Sequence, residues 1–251
     1  MHGRACCALI FLLLLPAPSR AEGTCVEPES LAHSTVSITR YFDDAERAAD
    51  PGFIGARGTG WFLSPTTIVT VGHVAAGMNL STRDWKELEI LDGDRSQTAS
   101  ARILRLAGSN AEKLAVLELR TAISAARSFA IRTAPLTPDE HIMTLAYPDG
   151  RLRLAGGRFV QYGDGERLTG TALLEMYDGN DRLAVDYGAS GAPVVDCAGR
   201  VAAVVSDVVT QTLRLPFREV RISTAWGTPN VVSVPVQALS ELALKEFSQA
   251  E

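Results

Sequence analysis

Apolar positions along this chain come in short runs, many of them β-branched, with Gly, Pro, Asp and Asn between them. The first half holds "STVSITRYF" (34–42), "GTGWFLSPTTIVTVGHV" (58–74), "WKELEILDG" (85–93), "ASARILRLA" (99–107) and "EKLAVLELR" (112–120). The second half holds "HIMTLAYPDG" (141–150), "RLRLAGGRFVQYGDG" (151–165), "RLAVDYG" (182–188), "GAPVVDCAGRVAAVVSDVVTQ" (191–211), "FREVRIST" (217–224) and "NVVSVPV" (230–236). Runs of about four to eight residues bounded by turn formers predict the strands of an all-β sandwich or barrel. Helical spacing is confined to "VQALSELALKEFSQ", where Leu239, Leu242, Ala243 and Phe247 share a face, and to one turn over "HVAAG" after His73. The stretch "TAPLTPDE" carries two prolines and divides the strands into two near-equal sets. With no internal repeat and no low-complexity tract, the simplest architecture is two β-barrels in tandem. They span residues 34–132 and 141–251, joined by a linker over 133–140, and the second ends in a short C-terminal helix.

The first residues change this picture. Arg4 precedes ten apolar residues, "CCALIFLLLL", and a Pro-rich stretch ends in "PSRA", with small residues at Ser19 and Ala21. That layout predicts a secretory signal peptide over 1–21, cleaved after Ala21, and an N-terminal arm over 22–33. Ten apolar residues are too few to span a bilayer, which needs roughly 20. The expected location is therefore periplasmic or secreted, without stable membrane association after cleavage.

Loss of Arg4 and Arg20 leaves 22 basic residues against 29 acidic ones, a charge of about −7. A mildly acidic surface argues against nucleic-acid partners, which want basic patches. Cys6 and Cys7 leave with the leader, so Cys25 and Cys197 remain. In an exported chain two cysteines suggest one disulfide; two unpaired thiols are the alternative. Four histidines and two mature cysteines at scattered spacing give no metal-site pattern, and no cofactor is implied. "AGGRFVQYGDG" is Gly-rich but lacks a P-loop lysine and a following helix, so it reads as strand turns.

Candidate chemistry centres on "DYGASGAPVVD" (186–196), where Ser190 is pinned between small residues. A nucleophilic serine needs a base and donors for the developing oxyanion. His2 falls in the leader, His33 in the arm, and His141 opens a strand after the linker. His73 follows an apolar strand at Gly72, which places it at a barrel rim; a hydrogen-bonded structural histidine is the plain alternative. The serine elbow of α/β-hydrolases is excluded, because it needs a histidine after the serine and none follows Ser190.

The segment "GTGWFLSPTTIVTVGHV" resembles the histidine block of trypsin-like serine proteases, a Gly-x-Gly strand and a Ser-Pro hairpin leading to a Thr-Ala-x-His-like ending. "GASGAP" resembles their nucleophile block, Gly-x-Ser-Gly-Gly-Pro, with Ala192 in place of the second glycine, and "IMTLAYPDG" resembles the strand and turn that open the second barrel in bacterial members. The likeness covers roughly residues 34–240, with the blocks in the family's order. It implies two six-stranded barrels, an active site in the cleft between them, and protein or peptide substrates. It further implies Ser190 as nucleophile, His73 as general base, and the N–H groups of Gly188 and Ser190 as oxyanion hole.

The chain departs from that pattern in three places. Where the family has Asp-Leu-Ala-Val-Leu, this sequence reads "EKLAVLEL", with Lys113 at the aspartate's position. A lysine cannot accept the histidine Nδ1–H, and its charge disfavours an imidazolium. Glu112, which strand alternation aims at the opposite face, and Asp92 and Asp94 are the other carboxylates to weigh. The implied alternative is a pseudoprotease that keeps the fold as a protein-binding module. Ala189 replaces the aspartate that receives a new N-terminus on zymogen cutting. Ala184 and Val208 imply no cleavage after Lys or Arg, and a small apolar preference instead.

Overall fold

The computed structural model describes residues 25–108, 113–164, 168–179, 185–215, 218–223 and 228–239. Strands β1 (Thr35–Tyr41), β2 (Gly55–Ser64), β3 (Thr67–Val71), β4 (Lys86–Asp92), β5 (Arg95–Ala107) and β6 (Leu114–Leu119) close into one antiparallel barrel, in the order β1-β2-β3-β6-β5-β4. Helix α1 (Asp44–Ala49) lies between β1 and β2, and α2 (Gly72–Gly77) between β3 and β4. The second half supplies β7 (His141–Ala146), β8 (Arg153–Tyr162), β9 (Ala172–Tyr177), β10 (Pro193–Asp196) and β11 (Val201–Val208), then a hairpin of β12 (Thr210–Leu215) and β13 (Arg218–Ser223), and finally β14 (Val231–Pro235). Six of these close the second barrel in the order β10-β11-β14-β9-β8-β7. The fold is the all-β, two-barrel architecture that the strand pattern predicts.

The alternation in the sequence sets the faces. In β4, Leu88 and Ile90 are fully buried while Glu87 points out, the mark of a strand with one face on a core. In β11, Val201–Ser206 are all buried, because this strand is covered on both sides. One face fills the second barrel. The other joins a cluster in which Val195, Val201 and Val204 pack with Trp61, Ile68 and Phe129 of the first half. The two barrels therefore share a continuous apolar contact.

Two tethers fix how the barrels are joined. Arg132, in the connecting segment, donates to both carboxylate oxygens of Glu140, to Asp196 Oδ2 at 3.3 Å, and to the carbonyls of Ala134 and Pro135. Burial opposes ionisation of Glu140, but Arg132 and the N–H and hydroxyl of Thr137 hold its carboxyl below the usual range. On the other side, Cys25 and Cys197 form a disulfide with a Cα separation of 4.2 Å, and Val26 N–H donates to the Cys197 carbonyl. The arm then runs through a 3-10 segment over Pro28–Ser34 into β1.

Some expectations need correction. The run over 182–188 is not a strand where it is described. Val185–Gly188 form a loop, because Gly188 at φ +95° turns the chain out of extended geometry. The strand of that region is β9, "ALLEMY", which the sequence reading passed over. The leader over 1–21, Glu112, Ala184 and most of the C-terminal helix lie outside the described residues; residues 237–239 are helical. No described helix is long and apolar enough to cross a membrane.

Candidate active site

β3 is five residues long, and its Ile68–Val71 are buried, so the next residues emerge at the barrel rim. Gly72 starts α2, and its N–H donates to the Lys113 carbonyl at 2.6 Å. A Cβ on Gly72 would stand 3.3 Å from Lys113 Cβ and from that same carbonyl oxygen. Helix α2 turns Val74 and Ala75 inward and leaves His73 exposed. Val74 packs so closely on β2 that a Cβ on Gly58 would lie 2.5 Å from its Cγ1. The same imagined atom would be 3.3 Å from the Ser190 carbonyl oxygen. Gly58 is thus the point where the histidine's helix and the serine's loop converge.

The serine loop is built from two tight turns. Ala189 N–H donates to the Asp186 carbonyl at 2.9 Å, and Ala192 N–H to the Ala189 carbonyl at 3.0 Å. Gly188 and Gly191 both take φ +95°, a region that L side chains rarely adopt. At Gly191 space is equally decisive, since a Cβ would fall 1.9 Å from the Thr59 carbonyl oxygen and 2.1 Å from Thr70 Oγ1. Gly191 N–H and the Ala192 carbonyl pair with Val205 at 2.8 and 2.9 Å, stitching the loop to β11. Ala189 and Ala192 are fully buried, whereas Ser190 between them is half-buried. Among the described residues no acceptor is found for the N–H of Gly188 or of Ser190.

Thr59 holds this loop from the opposite barrel. Its N–H donates to the Ser190 carbonyl at 2.9 Å, and its Oγ1 donates to the Gly188 carbonyl at 2.7 Å. The same Oγ1 accepts from Tyr147 N–H at 3.0 Å, and Thr70 Oγ1 donates to the Thr59 carbonyl at 2.8 Å. The three bonds made by the threonine hydroxyls are buried, so the Gly188 carbonyl is held by protein alone. Sequence reasoning missed Thr59. Its only signal was a polar residue between two glycines in β2.

Tyr147, at the end of the "IMTLAYP" block, reaches back to the first barrel, and its hydroxyl accepts from Gly93 N–H at 3.0 Å. Burial pushes its phenol above the usual range against the effect of that N–H, and the Asp92 and Asp94 carboxylates add to the rise. The hydroxyl therefore stays protonated across the working range.

The carboxylates weighed for His73 resolve differently. Asp92 is fully buried, pairs through Oδ1 with Nδ1 of His33 in the arm at 3.1 Å, and has no hydrogen-bond partner at Oδ2. It is not bonded to His73, which corrects its candidacy, and the cause is the arm folding back over the turn after β4. Asp94 is exposed on that same turn. Lys113, where the resemblance places an aspartate, lies with its Cβ and carbonyl against Gly72, the residue before His73. Among the described residues no group of three or more His, Cys, Asp or Glu is arranged to hold a metal ion.

Comparison with known proteins agrees with this geometry. A family model described as a trypsin-like peptidase domain matches residues 58–204, a span that begins at Gly58 and includes His73 and Ser190. No curated protein matches by sequence. Among solved structures, the active form of the Rv3671c protease from M. tuberculosis superimposes with a TM-score of 0.58 at 18% identity, over 85% of this chain and 81% of that one. Its inactive form gives 0.57 at 19% identity, over 86% and 90%. Deg5 gives 0.58 at 16% identity, over 85% and 88%. At such identities these likenesses establish the fold alone. The sequence match covers more than half of the chain, and on that ground the protein belongs to the trypsin-like peptidase family.

Proposed function

We propose that the protein is an exported serine endopeptidase with Ser190 as nucleophile and His73 as general base. Ser190 Oγ attacks the scissile carbonyl carbon as His73 takes the hydroxyl proton. The negative charge that develops on the carbonyl oxygen faces the N–H groups of Gly188 and Ser190, and His73 returns the proton to the leaving nitrogen. Water then attacks the acyl-enzyme by the same route and frees Ser190. The observation that carries this reading is the serine loop itself. Two positive-φ glycines, with the Thr59 N–H and hydroxyl donating to the Ser190 and Gly188 carbonyls, hold Gly188–Gly191 in a fixed shape that a mere connection would not need.

Export is supported by the disulfide between Cys25 and Cys197, which an oxidising compartment favours. For specificity, Val208, half-buried at the end of β11, favours small apolar side chains over Lys or Arg on the acyl side of the bond. With Ala189 buried in the loop, activation through a newly cut N-terminus has no carboxylate to receive it there.

A second reading rests on Lys113. A lysine beside Gly72 opposes imidazolium formation at His73, which favours a pseudoprotease that binds proteins without cutting them. Digestion of an unfolded protein by the purified mature chain separates the two. The peptidase reading expects fragments that vanish in both Ser190→Ala and His73→Ala. A folded protein that binds the substrate and leaves it intact supports the binding module.

A further inference from the structure

Between α1, the start of β2 and the end of α2 lies a cleft of about 430 Å³ that none of the chemistry above uses. Phe42, Ala49, Phe53, Ala56, Gly77 and Tyr187 supply most of its wall. Two of these belong to the reacting segments, since Tyr187 stands three residues before Ser190 and Gly77 four after His73. The floor is low because Ala56 and Gly77 meet there with little side chain; a Cβ on Gly77 would touch only Ala56 Cβ, at 4.0 Å. The aromatic walls stand open, with Phe53 55% and Tyr187 76% exposed.

The cleft is built in advance of any occupant. Asp43 caps α1 in a reciprocal capping box with Glu46. The Glu46 carboxylate accepts from the Arg40 guanidinium at 2.7 Å and from Asn79 Nδ2 at 3.2 Å, which clamps α1 to β1 and to the end of α2. Arg40 is itself buried, donates to the Met78 carbonyl at 3.1 Å, and lies 5.4 Å from the Phe42 ring centroid. Glu46 is thus charged but already matched, and Asp50 adds an exposed carboxylate to the rim. Open aromatic walls favour apolar side chains, and the exposed Asp50 carboxylate at the rim disfavours acidic ones.

The position of His73 says which half of a substrate passes here. A base that hands its proton to the leaving nitrogen must lie on that nitrogen's side, so the departing chain runs along α2. We infer that this cleft is a subsite for the first or second substrate residue after the scissile bond, taking a large aromatic or branched apolar side chain and rejecting acidic ones. The inference rests on the peptidase reading proposed above.

The test is digestion of a peptide library by the mature protein, with the new N-termini sequenced by mass spectrometry, alongside fluorophosphonate labelling of Ser190. We expect Phe, Tyr, Leu or Ile at the first or second new position to be favoured about tenfold over Gly and Asp, the scale of an apolar pocket. Phe53→Ala and Tyr187→Ala, both at exposed positions, should each flatten that preference. Cleavage without such a preference, or with one that survives both substitutions, overturns the subsite and leaves the peptidase reading standing. A folded protein that neither cleaves nor takes the label overturns the peptidase reading, and the subsite with it.

Discussion

Thr59→Val is the substitution that separates shape from chemistry at this site. Valine keeps the branched outline of threonine, so no cavity opens, but it removes Oγ1. Two fully buried partners then lose their bonds, the Gly188 carbonyl at 2.7 Å and the Tyr147 N–H at 3.0 Å. Each buried polar group left unsatisfied costs about 1–3 kcal/mol, so the expected loss is about 2–6 kcal/mol. The Gly188–Ala189 peptide, which lies between the two oxyanion donors, also loses its hold, and a donor displaced with it costs about 10²–10³ in rate. Urea unfolding reads the first effect, and the rate constant of fluorophosphonate labelling at Ser190 reads the second. Thr59→Ser, which restores the hydroxyl, should recover most of the labelling rate even though it lacks the methyl group. A valine variant within about 0.5 kcal/mol of the parent that labels at the parental rate would refute the reasoning.

Three further outcomes are expected. Gly191→Ala must place its Cβ 1.9 Å from the Thr59 carbonyl oxygen in a positive-φ backbone, so it should cost more than about 3 kcal/mol or prevent folding, as read by circular dichroism melting. Lys113→Met keeps the stem that packs on Gly72 but removes the positive charge that opposes an imidazolium, so it should raise turnover several-fold; a continuous peptidase assay checks it. The Arg40 guanidinium, with Asp43 N–H and Asn79 assisting against partial burial, holds the Glu46 carboxyl at about 2. Its folded value lies below its ordinary one, so its stabilisation is complete above about pH 4.5 and is lost as pH falls towards 2. Glu46→Gln should therefore flatten that limb of Tm against pH while leaving the neutral limb parallel to the parent.

Much of the fold is legible because barrel strands alternate. Leu88 and Ile90 between outward glutamates can mean little else, and the β-branched run before Gly72 ends where a rim residue must follow. β9 is less legible because "ALLEMY" carries no β-branched residue and is as compatible with a helix as with a strand; only pairing with β8 and β14 decides it. Helix α1 is written in Asp43 and Glu46, whose spacing is a capping box, but the helix has no buried face and so no apolar period to display it.

The site is legible in part for a similar reason. Gly188, Ser190 and Gly191 are constrained by local backbone geometry, which leaves a motif in the sequence. Thr59 acts on Gly188 across 129 residues, and a single hydroxyl at such a distance leaves none. The Asp92 carboxylate is similarly opaque, because its partnership with His33 depends on where the arm lies.

The central claim is that Ser190 is an activated nucleophile and not only a well-placed one. Intact-mass spectrometry of the folded mature protein after exposure to a fluorophosphonate tests it most directly, with Ser190→Ala and His73→Ala as controls. One adduct is expected, absent from the serine variant and slowed by about 10² or more in the histidine variant, the scale of general-base catalysis. An unlabelled Ser190 in a folded protein, or labelling indifferent to His73, would contradict it.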